Sequence, residues 1–100
     1  MQDNPALEHY MRELRRLYPE LVEKYHVRTL EIFGSYVRNE QDPESDLDVL
    51  VTFDETPGLF TYIELENYLS DSLGVKVDLV MKTALKPRLE QRILSEAVPV

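Results

Sequence analysis

The chain has 100 residues and no cysteine, a size that suits one domain over residues 1–100 and a composition that excludes disulfide bonds, thiolate zinc sites and a cysteine nucleophile. A net charge of −8, from 19 acidic and 11 basic side chains, disfavours sequence-independent binding to nucleic acid, which requires clustered Lys and Arg. Since the chain shows neither a secretory signal nor an apolar run of about 18 residues, we expect a cytoplasmic protein that has no contact with membranes.

The first quarter of the chain has the apolar spacing of an amphipathic helix. Asn4-Pro5 is a favourable start, because Asn caps free N–H groups and Pro at the first helical position has no N–H to leave unpaired. Pro19 lies inside the pattern, where it lacks the N–H that a helix requires. The sequence therefore predicts two helical pieces before residue 26.

Three segments, residues 27–33, 47–53 and 75–81, are rich in β-branched and aliphatic residues. The second segment is almost continuously apolar, which is typical of an inner strand covered on both faces. Helical patterns separate the three segments, so the sequence predicts a single α/β domain with three core strands. The alternation permits a fully parallel sheet, but connections of about ten residues are short for a crossover and favour a mixed sheet.

Prolines and glycines mark the remaining helices. Thr56-Pro57 has the pattern of a helix cap followed by a first-turn proline, and Gly74 suits the C-terminal end of that helix. Pro87 suits the start of a last helix, and residues 35–39 have room for a short helical turn. The last helix is expected to bury one stripe, formed by Leu89, Ile93 and Ala97.

Two carboxylates stand at the start of the second β segment. Asp46 and Asp48 are two positions apart, so in an extended chain they share a face and lie about 6–7 Å apart. A carboxylate beside a core strand is unfavourable unless it is paired or coordinates a cation. An isolated Asp-x-Asp is more often a solvated strand edge or turn, and that alternative stays open at this point.

Asp78 raises the same question on the third segment, between Val77 and Leu79. If the second and third strands are neighbours, about 4.8 Å apart, three carboxylates converge. Their repulsion would raise their pKa values, and a pair of Mg²⁺ ions would relieve it, because hard cations prefer oxygen ligands. On its own, Asp78 is more often a strand-end residue bonded to backbone amides.

Gly34-Ser35 directly follows the first strand. Gly permits a tight turn and a close approach of the backbone, and Ser35 would open a short helix whose N–H groups bind an anion. Phosphates bound there would lie near the aspartates. A routine turn capped by Ser is the alternative.

Taken together, these motifs resemble those of the DNA polymerase beta superfamily of nucleotidyltransferases, and most closely its minimal members, the antitoxins that pair with HEPN ribonuclease toxins. The resemblance rests on Gly34-Ser35-Tyr36-Val37-Arg38-Asn39, Ser45-Asp46-Leu47-Asp48 and Val77-Asp78-Leu79. Two positions depart from the family pattern: Val37 stands where Ala is usual, and Asn39 where Gly is usual. Asn tolerates left-handed backbone better than most residues, so we expect the turn at residue 39 to be retained.

The resemblance implies a role for each motif. Asp46 and Asp48 would ligate two Mg²⁺ ions, and Asp78 would complete the catalytic one and accept a proton from the attacking hydroxyl. Gly34 and Ser35 would hold the β- and γ-phosphates of ATP. Ser45 and Arg38 are further candidates for nucleotide binding, although Arg38 could instead steady the loop.

The resemblance also suggests the acceptor. A chain this short has no room for the second domain that binds the acceptor in larger relatives, so the acceptor is expected to be a protein. By resemblance, AMP would pass from Mg-ATP to a tyrosine of a HEPN toxin, with release of pyrophosphate, in a hetero-oligomer. The alternatives are an antitoxin that neutralises its toxin by binding alone and a nucleotidyltransferase that acts on a small molecule.

Overall fold

The computed structural model describes residues 3–100 and shows a four-stranded sheet with two helices packed on one face. The helices are α1 (Pro5–Tyr25), α2 (Leu59–Leu73) and α3 (Pro87–Glu96). The strands are β1 (Val27–Phe33), β2 (Leu47–Phe53), β3 (Val77–Met81) and β4 (Val98–Pro99), in the spatial order β3-β2-β1-β4. β1 is antiparallel to β2 and β4, whereas β2 and β3 are parallel. The predicted mixed sheet is confirmed.

The core lies between the sheet and the helices α1 and α2. Along β2, Leu47, Val49 and Val51 point to this side and are almost fully buried. Leu50 points to the opposite face and is also buried, so both faces of β2 are covered at this position, as its apolar sequence predicts. At Asp48, the face opposite the helices is less covered, and this side chain is only partly buried.

α1 is one continuous helix of 21 residues, so the prediction of two helical pieces is wrong. Asn4 caps the helix by accepting a hydrogen bond from the N–H of Leu7, as predicted. Pro19 lies inside the helix on its exposed side, while Leu17 and Leu21 are buried on either side of it. Burial of this face outweighs the one hydrogen bond that Pro19 removes. None of the helices among residues 3–100 combines the length and the apolarity needed to cross a membrane.

Replacing Pro19 with Ala is expected to raise the free energy of unfolding by about 1–2 kcal/mol. An interior Pro costs a helix about 3 kcal/mol relative to Ala, and the greater freedom of the unfolded Ala variant offsets part of this gain. Denaturant titration measures the change. Glu23→Ala, at an exposed position of the same helix, is the control and should stay within about 0.5 kcal/mol of the wild type. Equal stabilities for the two variants would contradict the prediction.

Three local predictions differ from the structure. Residues 35–39 form turns and no helix. α2 begins at Leu59 with Gly58 as its N-cap and no side-chain cap, so Thr56-Pro57 is not the helix start. β3 begins at Val77, two residues later than predicted. Gly74 does end α2 in the left-handed conformation, with a φ of 70°, as predicted.

The C-terminal segment differs most from the prediction. No residue of α3 is buried, so the predicted stripe on this helix is wrong, and Leu89 is 42% exposed. β4, which the sequence did not predict, pairs with β1 through Val98 and Pro99. α3 is therefore held at its C-terminal end by the sheet, and packing along its length contributes little.

Candidate active site

Asp48 lies in the middle of the sheet, on the face opposite α1 and α2. In the register of the strands it stands opposite Phe33 of β1 and beside Asp78 of the parallel strand β3. Side chains at paired positions of neighbouring strands point to the same face, so Asp48 and Asp78 share one. Asp46 directly precedes β2. The structure thus brings two carboxylates side by side in the sheet and places the third at its end.

The environment of Asp48 disfavours its ionised form. The pKa of Asp48 is raised from 3.8 to about 6, first by burial and then by the negative charges of Asp78 and Asp46. The positive charge of Arg38 lowers the pKa of Asp48. An ionised Asp48 therefore needs a compensating positive charge, which a bound cation would supply.

As they stand, the three carboxylates do not form a ready-made metal cluster. Within residues 3–100, no group of three or more His, Cys, Asp or Glu side chains is arranged to hold a metal ion. Asp78 is exposed and Asp46 is half-buried, so both have room to reorient. The donor chemistry suits Mg²⁺, which prefers carboxylate oxygens, and Asp46, Asp48 and Asp78 are the residues that would hold it.

Side chains of α2 fix the backbone on both sides of Asp78. The N–H of Val77 donates to Ser70 Oγ at 2.9 Å, and the N–H of Leu79 donates to Glu66 Oε2 at 2.8 Å. β3 is an edge strand of the described sheet, so its outward N–H groups would otherwise lack protein partners. The sequence analysis missed Glu66 and Ser70, although their spacing of four residues places them on one helix face.

The turn after β1 brings the backbone against Asp48. Gly34 has a φ of +83°, and a Cβ at this position would overlap Asp48 Oδ2 and lie 3.1 Å from its Cγ. The Gly34 carbonyl accepts hydrogen bonds from the N–H groups of Val37 at 3.1 Å and Arg38 at 3.3 Å. Asn39 has a φ of 59°, so the left-handed turn predicted there is confirmed. At residue 34, only Gly can adopt the left-handed conformation and also lie this close to the Asp48 side chain.

The N–H groups that follow Gly34 are free of backbone partners. None of the backbone hydrogen bonds of the turns and loops within residues 3–100 uses the N–H of Ser35 or Tyr36. The Tyr36 ring is buried and packs edge-to-face against Tyr10, with ring centroids 5.4 Å apart. The Tyr36 ring thus anchors the turn to α1. The N–H groups of Ser35 and Tyr36 therefore remain available as hydrogen-bond donors.

Arg38 and Ser45, the two further candidates for nucleotide binding, are both engaged in protein contacts. Arg38 Nη1 donates to Oε1 and Oε2 of Glu96 at 3.0 and 2.9 Å, and Glu96 holds the pKa of Arg38 above its ordinary value. Ser45 Oγ accepts a hydrogen bond from the N–H of Asp42 at 3.0 Å. Each residue therefore steadies its loop in the structure.

Glu96 is a residue of the site that the sequence analysis missed. Its Oε1 accepts a hydrogen bond of 2.9 Å from the N–H of Gly34, across 62 positions of sequence. Glu96 also contributes to the raised pKa of Asp48. No local pattern marks this Glu, because its role depends on where β4 places the end of α3.

The carboxylates lie on an open surface. Asp78 is exposed, and Asp46 and Asp48 are each partly exposed. A second macromolecule therefore has direct access to this face of the sheet.

Residues 14–100 match the family model of the nucleotidyltransferase domain. The chain belongs to the nucleotidyltransferase domain family. Over 81 residues this nucleotidyltransferase is 51% identical to the protein adenylyltransferase MntA of Thermococcus cleftensis, and the match covers 81% of this chain and 82% of the relative. The family resemblance and the enzyme class predicted from the sequence are thereby confirmed.

Solved structures agree with the fold. One, described as a proposed minimal nucleotidyltransferase, has a TM-score of 0.75 at 37% identity and covers 90% of this chain and 92% of that chain. A second, a toxin–antitoxin structure with AMP-PNP, has a TM-score of 0.67 at 25% identity and covers 92% of this chain and 69% of that chain. The α/β fold predicted from the sequence is the fold of minimal nucleotidyltransferases.

Proposed function

We propose that this nucleotidyltransferase is an antitoxin that transfers AMP from Mg-ATP to a tyrosine hydroxyl of a partner HEPN ribonuclease. The observation that carries the proposal is the pairing of Asp48 with Asp78 on one face of the sheet, with the Gly34 backbone in contact with Asp48. Carboxylates for cations and free N–H groups for phosphates are the two elements that phosphoryl transfer from ATP requires.

The reaction assigns a role to each group. The tyrosine oxygen attacks the α-phosphorus of ATP, the bond to the bridging oxygen breaks, and pyrophosphate leaves. Asp78, the exposed carboxylate, accepts the tyrosine proton. The donors of Ser35 and Tyr36 bind the phosphates that become pyrophosphate. Asp46, Asp48 and Asp78 would hold Mg²⁺, which would supply charge neutralisation and polarisation of the phosphate oxygens.

A protein acceptor is supported by the open surface and by the relatives. The face that carries the carboxylates is reachable by a large partner. One relative is named a protein adenylyltransferase, and one structural neighbour is a toxin–antitoxin structure with an ATP analogue. The HEPN class and the tyrosine follow from the motif resemblance.

Incubation of the purified chain with its cognate HEPN protein, ATP and Mg²⁺ tests the proposal. Intact-mass and peptide mass spectrometry should find AMP on a tyrosine of the partner, and the ribonuclease activity should fall in parallel. Asp48→Asn is the matched control and should leave the partner unmodified. Neutralisation without an AMP adduct would contradict the proposal in favour of binding alone. Transfer to a small molecule but to no protein would also contradict it.

A further inference from the structure

The Gly34 turn is held by a carboxylate from the far end of the chain. Glu96 Oε1 accepts from the N–H of Gly34 at 2.9 Å, and both Glu96 oxygens accept from Arg38 Nη1. The Glu96 side chain is 21% exposed and that of Arg38 is 38% exposed, so the pair is partly shielded from water. Charge-assisted hydrogen bonds of this kind are about twice as strong as neutral ones.

Glu96 is itself firmly placed. It is the last residue of α3, and β4 follows it directly after Ala97. β4 pairs with β1, the strand that leads into Gly34. The same strand therefore fixes both the turn and the carboxylate that holds it.

The other side of the turn is held by the start of α1. Asn4 Nδ2 donates to the carbonyl of Tyr36 at 2.7 Å. Asn4 also donates to the carbonyl of Val37 at 3.5 Å, so Asn4 and Glu96 together occupy two carbonyls and one N–H of the turn. The N–H groups of Ser35 and Tyr36 keep no partner among the backbone groups of residues 3–100. The free donors are the ones that lie between the two restraints.

We propose that Glu96 is a positioning residue for the nucleotide: by binding Gly34 and Arg38, it holds the N–H groups of Ser35 and Tyr36 in the orientation that receives the phosphates. This inference rests on the proposed function. It gives Arg38 the role of supporting the turn. It also explains why α3, which has no buried residue, ends in Glu96, whose carboxylate is hydrogen-bonded to the turn. The donors are ordered before ATP arrives, so binding does not have to order them.

Glu96→Gln tests this role, because Gln keeps the size and one acceptor oxygen but loses the charge. The dissociation constant of Mg-ATP and its KM are expected to rise about tenfold, with kcat nearly unchanged. Glu90→Gln, an exposed carboxylate in the first turn of the same helix, is the control and should match the wild type. Calorimetric titration, steady-state kinetics and thermal unfolding are measured on each variant.

A double-mutant cycle tests the path through Arg38. In the Arg38→Ala background, Glu96→Gln should weaken Mg-ATP binding less than it does in the wild type, because the partner of the carboxylate is already gone. An equal effect in both backgrounds would contradict action through Arg38.

Each result of the titration decides between roles. Unchanged Mg-ATP affinity in folded Glu96→Gln contradicts the proposal, and so does tighter binding, which would mean that Glu96 competes with phosphate for the turn. If Glu96→Gln does not fold, Glu96→Asp decides, since it keeps the charge but withdraws it by one methylene. Failure of the wild type to bind Mg-ATP contradicts the proposed function as well, whereas wild-type binding that Glu96→Gln preserves contradicts only the role of Glu96.

Discussion

Asp48→Asn is expected to reduce AMP transfer by at least about a thousandfold, because the loss of one carboxylate ligand removes several kcal/mol of transition-state stabilisation by the cation. Mg²⁺ with an unreactive ATP analogue should raise the melting temperature of the wild type and leave that of the variant unchanged. Differential scanning fluorimetry and the transfer assay measure the two effects.

The same substitution is expected to stabilise the metal-free protein. The pKa of Asp48 is raised from 3.8 to about 6 in the folded state, first by burial and then by Asp78 and Asp46. A raised folded pKa contributes stability below 3.8 that is lost as the pH rises through about 6. At pH values above this range, Asn should therefore increase the free energy of unfolding by about 1–2 kcal/mol, allowing for the partial exposure of the carboxylate.

The pH dependence separates this effect from a general change in charge. In EDTA, the stability difference between Asp48→Asn and the wild type should shrink as the pH falls and vanish below 3.8, where Asp48 is protonated in both states. Asp71→Asn, at an exposed position of α2, is the control, with wild-type transfer and a stability within about 0.5 kcal/mol. A variant at Asp48 that transfers AMP, or that is destabilised at high pH, would contradict the assignment of this residue.

Gly34→Ala is expected to lower AMP transfer by about a hundredfold, because a small misplacement of a catalytic group is sufficient for such a loss. The new Cβ would overlap Asp48 Oδ2, and the Asp48 side chain would have to swing away. The left-handed backbone adds a cost of about 1–2 kcal/mol to the fold. Transfer kinetics and denaturant titration measure the two effects separately.

Two other glycines provide matched controls for Gly34→Ala. Gly74 is also left-handed, with a φ of +70°, but a Cβ at this position would have nothing within 4 Å. Gly74→Ala should therefore cost about 1 kcal/mol in stability and leave transfer unchanged. Gly58 has a φ of −70° and an equally open environment, so Gly58→Ala should leave transfer unchanged, with a small loss of stability because Ala is a poorer N-cap than Gly. Equal transfer by the variants at Gly34 and Gly74 would rule out the steric explanation.

The parts of the site that could be predicted are those that depend on local parity. The spacing of two residues predicts one face for Asp46 and Asp48, and the content of β-prone residues predicts the three core strands. The parallel pairing of β2 and β3 sets Asp48 beside Asp78. This pairing could not be predicted from the sequence, which indicates the two strands but not that they are neighbours. The left-handed turn at Asn39 was predictable because few residue types tolerate that conformation.

The contacts that could not be predicted are those between distant segments. Glu96 meets Gly34 only because β4 pairs with β1, and β4 has two residues, too few to show a period. The local preference of Pro19 predicts a break in the helix, whereas the burial of Leu17 and Leu21 keeps α1 continuous. Tertiary packing outweighs local preference in both cases.

The mixed pairing of β2 has a consequence for the order in which the chain folds. β1 and β2 are joined by a local connection, whereas β3 reaches β2 only after α2 has crossed between them. Contacts between nearby segments form sooner because less loop entropy is lost, so the hairpin with Gly34 and Asp48 is expected to precede the arrival of Asp78. The repulsion between Asp48 and Asp78 would then arise only after the hairpin has formed. Cations that relieve it should slow unfolding from the native sheet and leave the formation of the hairpin unaffected.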